Sequence, residues 1–513
     1  MKTSVDRADD ELLERFGYQQ QFARTVRSFE SFALGFSFIS ITTGIFTTFG
    51  FLLNTAGPRG IWTWPIVIAG QALVAMVYGA LAAKIPVSGY SYQWASRLTN
   101  PQVGWWLGWM SFAYLSIVTV SVDYAFTQVA FQPLIGMDYT PTSAALITLG
   151  VMVLQAAVIV WSTPITTRIN TVAVVTEFIG IVELAIILLG ATILVGEAHW
   201  GNLWSTALVP RPGWYAWLGP GMLATLLGAY TIVGFESSAN LAEETQEPRR
   251  AVPRAMIRAV LISGLIGMIF LIALSLAVRD VAAASADAAP VAFILRDTLG
   301  TSIEKVFLVF ICVSIFACGL VIMVTNSRLA FSMSRDRRLP GHQLLRRVPR
   351  ATGGPTWATL AVCAVSGAIV LVLRENTSAL FSLFTASTLM PAILYAGTVL
   401  LYVFGARGIR PDSRYFSLGR WEWPVILGAL AWLVYELTIL IGPAQFRAAQ
   451  KYALGAIALG VVVYALMWLL EPEAMRSQPG AMGEEALEAG EEEPPPPPRA
   501  PQGAGGVPVR TGR

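Results

Sequence analysis

Long apolar runs separated by short polar connections cover most of this chain. They fall at 31–53, 61–83, 104–131, 142–161, 170–196, 215–240, 256–278, 302–330, 356–373, 378–404, 421–442 and 452–470. Each approaches the roughly 20 residues an α-helix needs to cross a ~30 Å hydrocarbon core. The pattern predicts an all-α, polytopic membrane protein with about twelve transmembrane helices. Most runs are apolar all round, so their periodicity does not show which face meets lipid.

Two runs break the pattern. The first carries Ser40-Ile41-Thr42-Thr43-Gly44 at its middle, and the sixth carries Thr231-Ile232-Val233-Gly234-Phe235-Glu236. Thr pairs and glycine weaken a helix. An interrupted helix in lipid exposes backbone N–H and C=O groups and is tolerated where it lines a cavity. The first and sixth runs occupy corresponding positions in two five-helix halves, the sequence mark of a secondary transporter built from inverted repeats. A gap opened in the first helix would present N–H groups and a positive half-helix end to a carboxylate. Tyr230 and Phe235 flank the second gap, as gates or as core.

Composition agrees with the pattern. The 513 residues are 55% hydrophobic and 13% charged, where a soluble chain has about 25% charged residues. Lys and Arg collect on one side, with Arg249, Arg250, Arg254 and Arg258 after the sixth run and Arg335, Arg337, Arg338, Arg346, Arg347 and Arg350 after the eighth. The positive-inside rule then puts both termini in the cytoplasm. Trp62, Trp64, Trp105, Trp106, Trp200, Trp204, Trp421 and Trp423 are expected at headgroup depth. The polar first 28 residues predict no cleavable signal peptide.

This organisation reads as an N-terminal segment over 1–30, helices 1–5 over 31–196, helices 6–10 over 215–404, helices 11 and 12 over 421–470, and a tail over 471–513. The tail, with Glu491–Glu493 and Pro494–Pro498, is expected to be disordered and cytoplasmic.

Catalytic chemistry is scarce. His199 and His342 fall in loops, and Cys312, Cys318 and Cys363 read as buried free thiols. No metal cluster, cofactor site or nucleic-acid-binding basic stripe is expected, nor an enzyme. The acids inside the runs are Asp123, Glu177, Glu183, Glu236 and Glu436. Glu177 and Glu183 are about 120° apart around a helix and cannot share one pocket. Glu177 lies about two turns beyond Arg168 and Asn170 with no Lys or His at its depth. A buried carboxyl without a cation favours its protonated form, which suits proton coupling or a structural hydrogen bond. Asp123 and Glu436 read as interhelical contacts.

The motifs then resemble a family. Arg15-Phe16-Gly17-Tyr18-Gln19-Gln20-Gln21-Phe22 precedes helix 1, and Ile85-Pro86-Val87-Ser88-Gly89-Tyr90-Ser91-Tyr92-Gln93-Trp94 follows helix 2. Gly234-Phe235-Glu236 leads to Glu243-Glu244-Thr245 and Pro248-Arg249-Arg250, and Asn326-Ser327-Arg328 with Arg335-Asp336 closes helix 8. Over about 15–420 this resembles the amino acid–polyamine–organocation permeases, in particular their amino acid/choline branch. The resemblance implies a LeuT-type bundle of five plus five inverted helices with two more. It implies a midplane site where Thr42, Thr43 and Gly44 receive a polar head and Val233, Gly234 and Phe235 offer carbonyls to an amine. Tyr230 falls where relatives carry a gating aromatic, and Glu177 where some proton-coupled relatives carry Lys. Glu236 is expected to secure the break in helix 6 as scaffold or gate.

The expected function is plasma-membrane import of an amino acid, γ-aminobutyrate, choline or a polyamine, by symport with protons rather than sodium. An exchanger and a transporter-like nutrient sensor are the alternatives. Substrate identity and oligomeric state are not legible.

Overall fold

In the computed structural model, which describes residues 13–14, 16–19, 24–161, 163–349, 352–375, 378–406, 409 and 414–480, the first apolar run is two helices. Ser28–Ile39 forms α1 and Ile41–Ala56 forms α2. They meet at Ser40, whose φ of 35° and ψ of 90° stop the first helix. The expected break at Thr42-Thr43-Gly44 is therefore displaced. Those residues form the first turn of α2, and the interruption falls just before them. Ser40 ends one helix and caps the next, its Oγ accepting the Thr43 N–H at 3.2 Å, as an N-cap serine does.

The remaining elements follow the hydropathy closely. They include α3 (Trp64–Lys84), α4 (Tyr90–Leu98), α5 (Pro101–Ala125), α6 (Pro141–Trp161) and α7 (Thr163–Leu194). Two short pieces follow, α8 (Leu226–Thr231) and α9 (Ser237–Asn240). Then come α10 (Pro248–Ala277), α11 (Thr301–Arg335), α12 (Thr356–Leu373), α13 (Ala379–Phe404), α14 (Glu422–Ile441) and α15 (Arg447–Leu470). Among the described residues, 11 helical stretches are long and apolar enough to cross a membrane. The sixth predicted run is absent from them because it is broken into α8 and α9.

Helix pairing shows the two halves. The second run packs on the seventh (α3 with α10), the third on the eighth (α5 with α11), and the fourth on the ninth (α6 with α12). The first packs on the sixth through α2 and α8. Four helices of one five-helix set thus touch their counterparts in the other, in keeping with a pseudo-two-fold arrangement. The broken pair lies at the centre. Apolar residues such as Leu146 and Val153 on α6, Ile186 on α7, Phe404 on α13 and Leu469 on α15 are exposed on the outer faces. A belt of that kind suits lipid.

Two sequence expectations change. Trp62, Trp200, Trp204, Trp421 and Trp423 are exposed, but Trp64 and Trp105 are core residues. Their indole N–H groups reach the carbonyls of Gly264 at 2.7 Å and Arg338 at 2.9 Å. Once its N–H has a partner, a Trp can be buried whole. The expected tail also starts too early. Pro472–Arg476 forms a further short helix, α16, with Ala474 and Met475 buried, and Arg97 and Arg338 donate to the carbonyls of Pro479 and Ser477. The rest of that expected tail, from 481 with its Pro run, lies outside the described residues, as do residues 1–12.

Candidate substrate and coupling site

The breaks in the first and sixth runs face each other, and two glycines set their separation. At Gly44 an added Cβ would lie 2.1 Å from Thr231 Oγ1, so the Thr231 side chain of α8 packs directly on the α2 backbone. At Gly234, where φ is +84°, an added Cβ would lie 1.7 Å from the Phe38 ring. Glycine meets both demands, the left-handed backbone and the missing side chain.

A small cavity lies between the breaks. Its walls are Phe38, Ile39, Thr43 and Gly44 from the first run, Tyr230, Thr231 and Val233 from the sixth, Val118 and Val122 from α5, and Cys318 and Ile322 from α11, enclosing about 10 Å³. That is room for about one water, so this form is contracted around its centre. Of the residues expected to bind solute, the structure gathers Thr43, Gly44 and Val233 here. Gly234 borders it through Phe38. Phe235 does not line it: the side chain is fully buried and packs edge-on to Tyr78 and tilted on Tyr395. Its ring belongs to the α3–α13 core, which no one-dimensional pattern records.

Tyr230 does line the cavity. Its hydroxyl is 3.1 Å from Ser121 Oγ on α5, and its ring meets Phe384 of α13 edge-on. This bridges α8 to α5 and α13 on the side of the break away from the Arg-rich end.

Glu177 gives the strongest geometry. It is 4% exposed. Its Oε1 accepts the Ser40 hydroxyl at 3.0 Å, the Thr42 hydroxyl at 3.0 Å and the Thr42 N–H at 3.3 Å. Ser314 Oγ of α11 lies 3.4 Å from Ser40 Oγ. A second cavity, of about 20 Å³, adjoins these residues and is lined by Thr42, Glu177, Phe307 and Ser314 among others. The positive end of α2, expected to receive a solute carboxylate, already holds a carboxyl of the protein itself. Thr42 belongs to that arrangement rather than to the central cavity. Glu183 is exposed, as the helical spacing requires. No Lys, Arg or His is ion-paired to Asp123, Glu177, Glu236 or Glu436 among the described residues. Asp123 bonds Gln155 of α6, and Glu436 of α14 bonds Gln71 of α3, both interhelical contacts.

Glu236 supports the second break from beneath. The Tyr395 hydroxyl donates to its Oε2 at 2.8 Å and accepts the Gly234 N–H at 3.0 Å. One phenol of α13 thus fixes both the break and the acid after it. Tyr395→Phe removes both bonds. A buried hydrogen bond of this kind is worth about 1–3 kcal/mol. Initial-rate uptake should show turnover falling about tenfold with little change in half-saturating concentration, and Glu236→Asp should behave alike. A large affinity loss with unchanged turnover would instead place Glu236 against the solute.

The Arg-rich end is shut. Arg335 grips Glu243 through two nitrogens, both at 3.0 Å, and Arg328 pairs with Glu244 at 3.0 Å. Asp336 accepts from Tyr18 and Tyr92 hydroxyls and from the Gly480 N–H. Burial pushes the Tyr18 hydroxyl up from its usual range, which keeps it a donor. Arg335→Ala removes the bidentate pair. Breaking a buried pair costs about 3–5 kcal/mol, here charged to the closed form. In a background lacking Cys312, Cys318 and Cys363, a cysteine placed at Val122 should then react about tenfold or more faster with thiol reagent from the Arg-rich side. Unchanged labelling would show that this pair does not hold the end closed.

Ser314 and Tyr395 were not singled out by sequence, and Ser40 entered only as the first residue of the break motif. Ser314 and Tyr395 are each a polar residue in an apolar run, a weak signal until tertiary contacts give it a partner. The whole arrangement, two broken helices crossed at a midplane cavity inside paired five-helix sets, defines a secondary-transporter bundle. Residues 28–464 match the family model described as amino acid permease. The chain belongs to that family, within the amino acid–polyamine–organocation superfamily. It is similar to amino-acid permease BAT1 of Arabidopsis thaliana, 26% identical, with 89% of this chain and 93% of that protein covered. It is similar to the GABA-specific permease of Saccharomyces cerevisiae, 24% identical over 89% and 83% of the two chains. The thiamine transporter thi9 of Schizosaccharomyces pombe is 24% identical over 90% and 85%.

Proposed function

We propose that this permease imports an amino acid or a related small amine by proton symport across the plasma membrane, with both termini cytoplasmic. Glu177 at the N-terminus of α2 is the observation that carries the reading. An ionised Glu177 uses its three donors well and repels a second carboxylate from the same helix end. A proton on Glu177 removes that repulsion and weakens its hold on Ser40 and Thr42. The solute's carboxylate then takes the Thr42 and Thr43 N–H groups, while its amine turns to the carbonyls around Val233. Proton and solute therefore bind together or not at all, which is the requirement for symport. The sixth-helix break relaxes around Gly234 as the Arg-rich end opens. A substrate lacking a carboxylate, such as choline or a polyamine, is the second reading; the absence of a paired cation for the core acids among the described residues favours it.

The test is uptake by the protein reconstituted in liposomes with an imposed pH gradient, against labelled amino acids, γ-aminobutyrate, choline and polyamines. Accumulation of a zwitterion that rises with the gradient supports the first reading. Accumulation of organic cations alone supports the second. Uptake that needs internal substrate identifies an exchanger, and binding without accumulation a sensor; either result overturns symport.

A further inference from the structure

The symport reading uses one buried carboxyl and leaves another unexplained. Asp123 is the only ionisable acid in the apolar stretch Pro101–Ile135, and it is 0% exposed. Its Oδ1 accepts Gln155 Nε2–H at 2.7 Å, and the other hydrogen of that amide serves the Phe316 carbonyl at 3.2 Å. Two oxygens of this pair, Asp123 Oδ2 and Gln155 Oε1, are buried with no hydrogen-bond partner. Both are acceptors, so neither can satisfy the other.

One proton resolves both. An acid and a primary amide pair reciprocally: the acid O–H donates to the amide oxygen while the amide N–H donates to the acid carbonyl. Half of that arrangement, Gln155 Nε2–H to Oδ1, is already present. A proton on Oδ2 supplies the other half. Two orphan oxygens buried between helices would otherwise be costly.

Among the described residues, no Lys, Arg or His is ion-paired to Asp123. The Cys318 thiol of α11 and the Cys363 thiol of α12 lie within electrostatic reach of it. Tyr124, on the same helix, turns its hydroxyl to Tyr139. α6 presents Gln155 and Thr148, and α13 contains no charged residue.

The position couples it to the moving parts. The α11 backbone closes directly over the carboxyl at Gly319, where an added Cβ would lie 2.3 Å from Oδ1. Val122 and Cys318, the chain neighbours of Asp123 and Gly319, both line the central cavity. The helix turns from α to π geometry at Phe126–Phe131, just beyond Asp123, a feature frequent at functional sites. Any shift of α11 against α5 changes the surroundings of this acid.

We propose that Asp123 is a second proton-binding residue of the transport cycle, held as an acid–amide pair with Gln155 behind the central cavity. Its proton arrives from the side where solute loads, forms the Oδ2–H bond, and leaves to the opposite side when α11 moves off the carboxyl. Glu177 and Asp123 then each carry one proton per cycle.

Infrared difference spectra of the full-length reconstituted protein near neutral pH, in light and heavy water, read the proton directly. The wild type should show a protonated-carboxyl carbonyl band that Asp123→Asn removes and Glu177→Gln leaves in place. Gln155→Leu should keep the band but shift it upward, because the carbonyl loses its amide donor. This second variant guards against a misfolded Asp123→Asn. If Asp123→Asn removes a carboxylate band instead, Asp123 is ionised in this form and the proposal fails.

The transport arm rests on the symport reading. Each coupled proton raises limiting accumulation tenfold per unit of pH gradient. Asp123→Asn should lower that limit tenfold and leave it above equilibration. An unchanged limit in Asp123→Asn overturns the coupling role. Loss of gradient dependence in the wild type would overturn symport itself, while the infrared result would stand.

Discussion

Glu177→Gln is expected to lose proton-driven accumulation by its own site while the protein folds and binds solute. Glutamine keeps the size and shape of the side chain. Its amide oxygen can accept the same hydroxyls of Ser40 and Thr42 and the same Thr42 N–H. It cannot gain or lose a proton. One coupled proton supports about a tenfold limiting accumulation per unit of pH gradient, and that factor should vanish. Wild-type uptake should rise as the loading side is acidified, and the Glu177→Gln profile should flatten. Glu177→Ala is the contrast. It also removes the acceptor at the end of α2, at a cost of about 1–2 kcal/mol, so it should lower thermal stability as well. Uptake by Glu177→Gln with full dependence on the gradient would show that Glu177 is structural.

Gly234→Ala should be the most damaging single methyl in the molecule. The residue sits at φ +84° with the Phe38 ring against it. Alanine in the left-handed region costs about 1–2 kcal/mol. Overpacking adds about 1–3 kcal/mol, and Phe38 is itself buried. Uptake should fall to background and the detergent-solubilised protein should melt several degrees lower. Pairing it with Phe38→Ala relieves the clash but leaves the backbone strain, so the double variant should recover part of the melting temperature. Wild-type melting and uptake in Gly234→Ala would refute the packing argument.

The span count and the two interrupted runs were legible because lipid imposes length and satisfaction of every backbone group. The break in helix 6 was legible to the residue, since Gly234 has a conformation few other residues tolerate. The break in helix 1 was displaced to Ser40. Nothing in Ser-Ile-Thr-Thr-Gly says which hydroxyl will stop one helix and cap the next. The Phe235 ring was left open between gate and core for a related reason. In a run that is apolar on every face, the sequence does not say whether a ring turns to a cavity or to the neighbouring helix.

Glu177 shows the boundary most clearly. Its burial and its lack of a nearby cation followed from its place in the fifth run. That it caps the first helix followed only from α7 crossing α1 and α2, more than 130 residues away in the chain. Likewise, Trp64 and Trp105 had the composition of rim residues and became core once Gly264 and Arg338 offered carbonyls.

By itself, then, the sequence determined that this chain spans a membrane many times, that two of its helices break, and that acids without cations lie within it. Each of these is a local cost that lipid enforces residue by residue. Tertiary structure alone decided which polar groups meet: Glu177 with Ser40 and Thr42, Tyr395 with Gly234 and Glu236, Asp123 with Gln155. In hydrocarbon a polar side chain is stabilised by the partner another helix brings, and helix crossing, not sequence spacing, determines that partner.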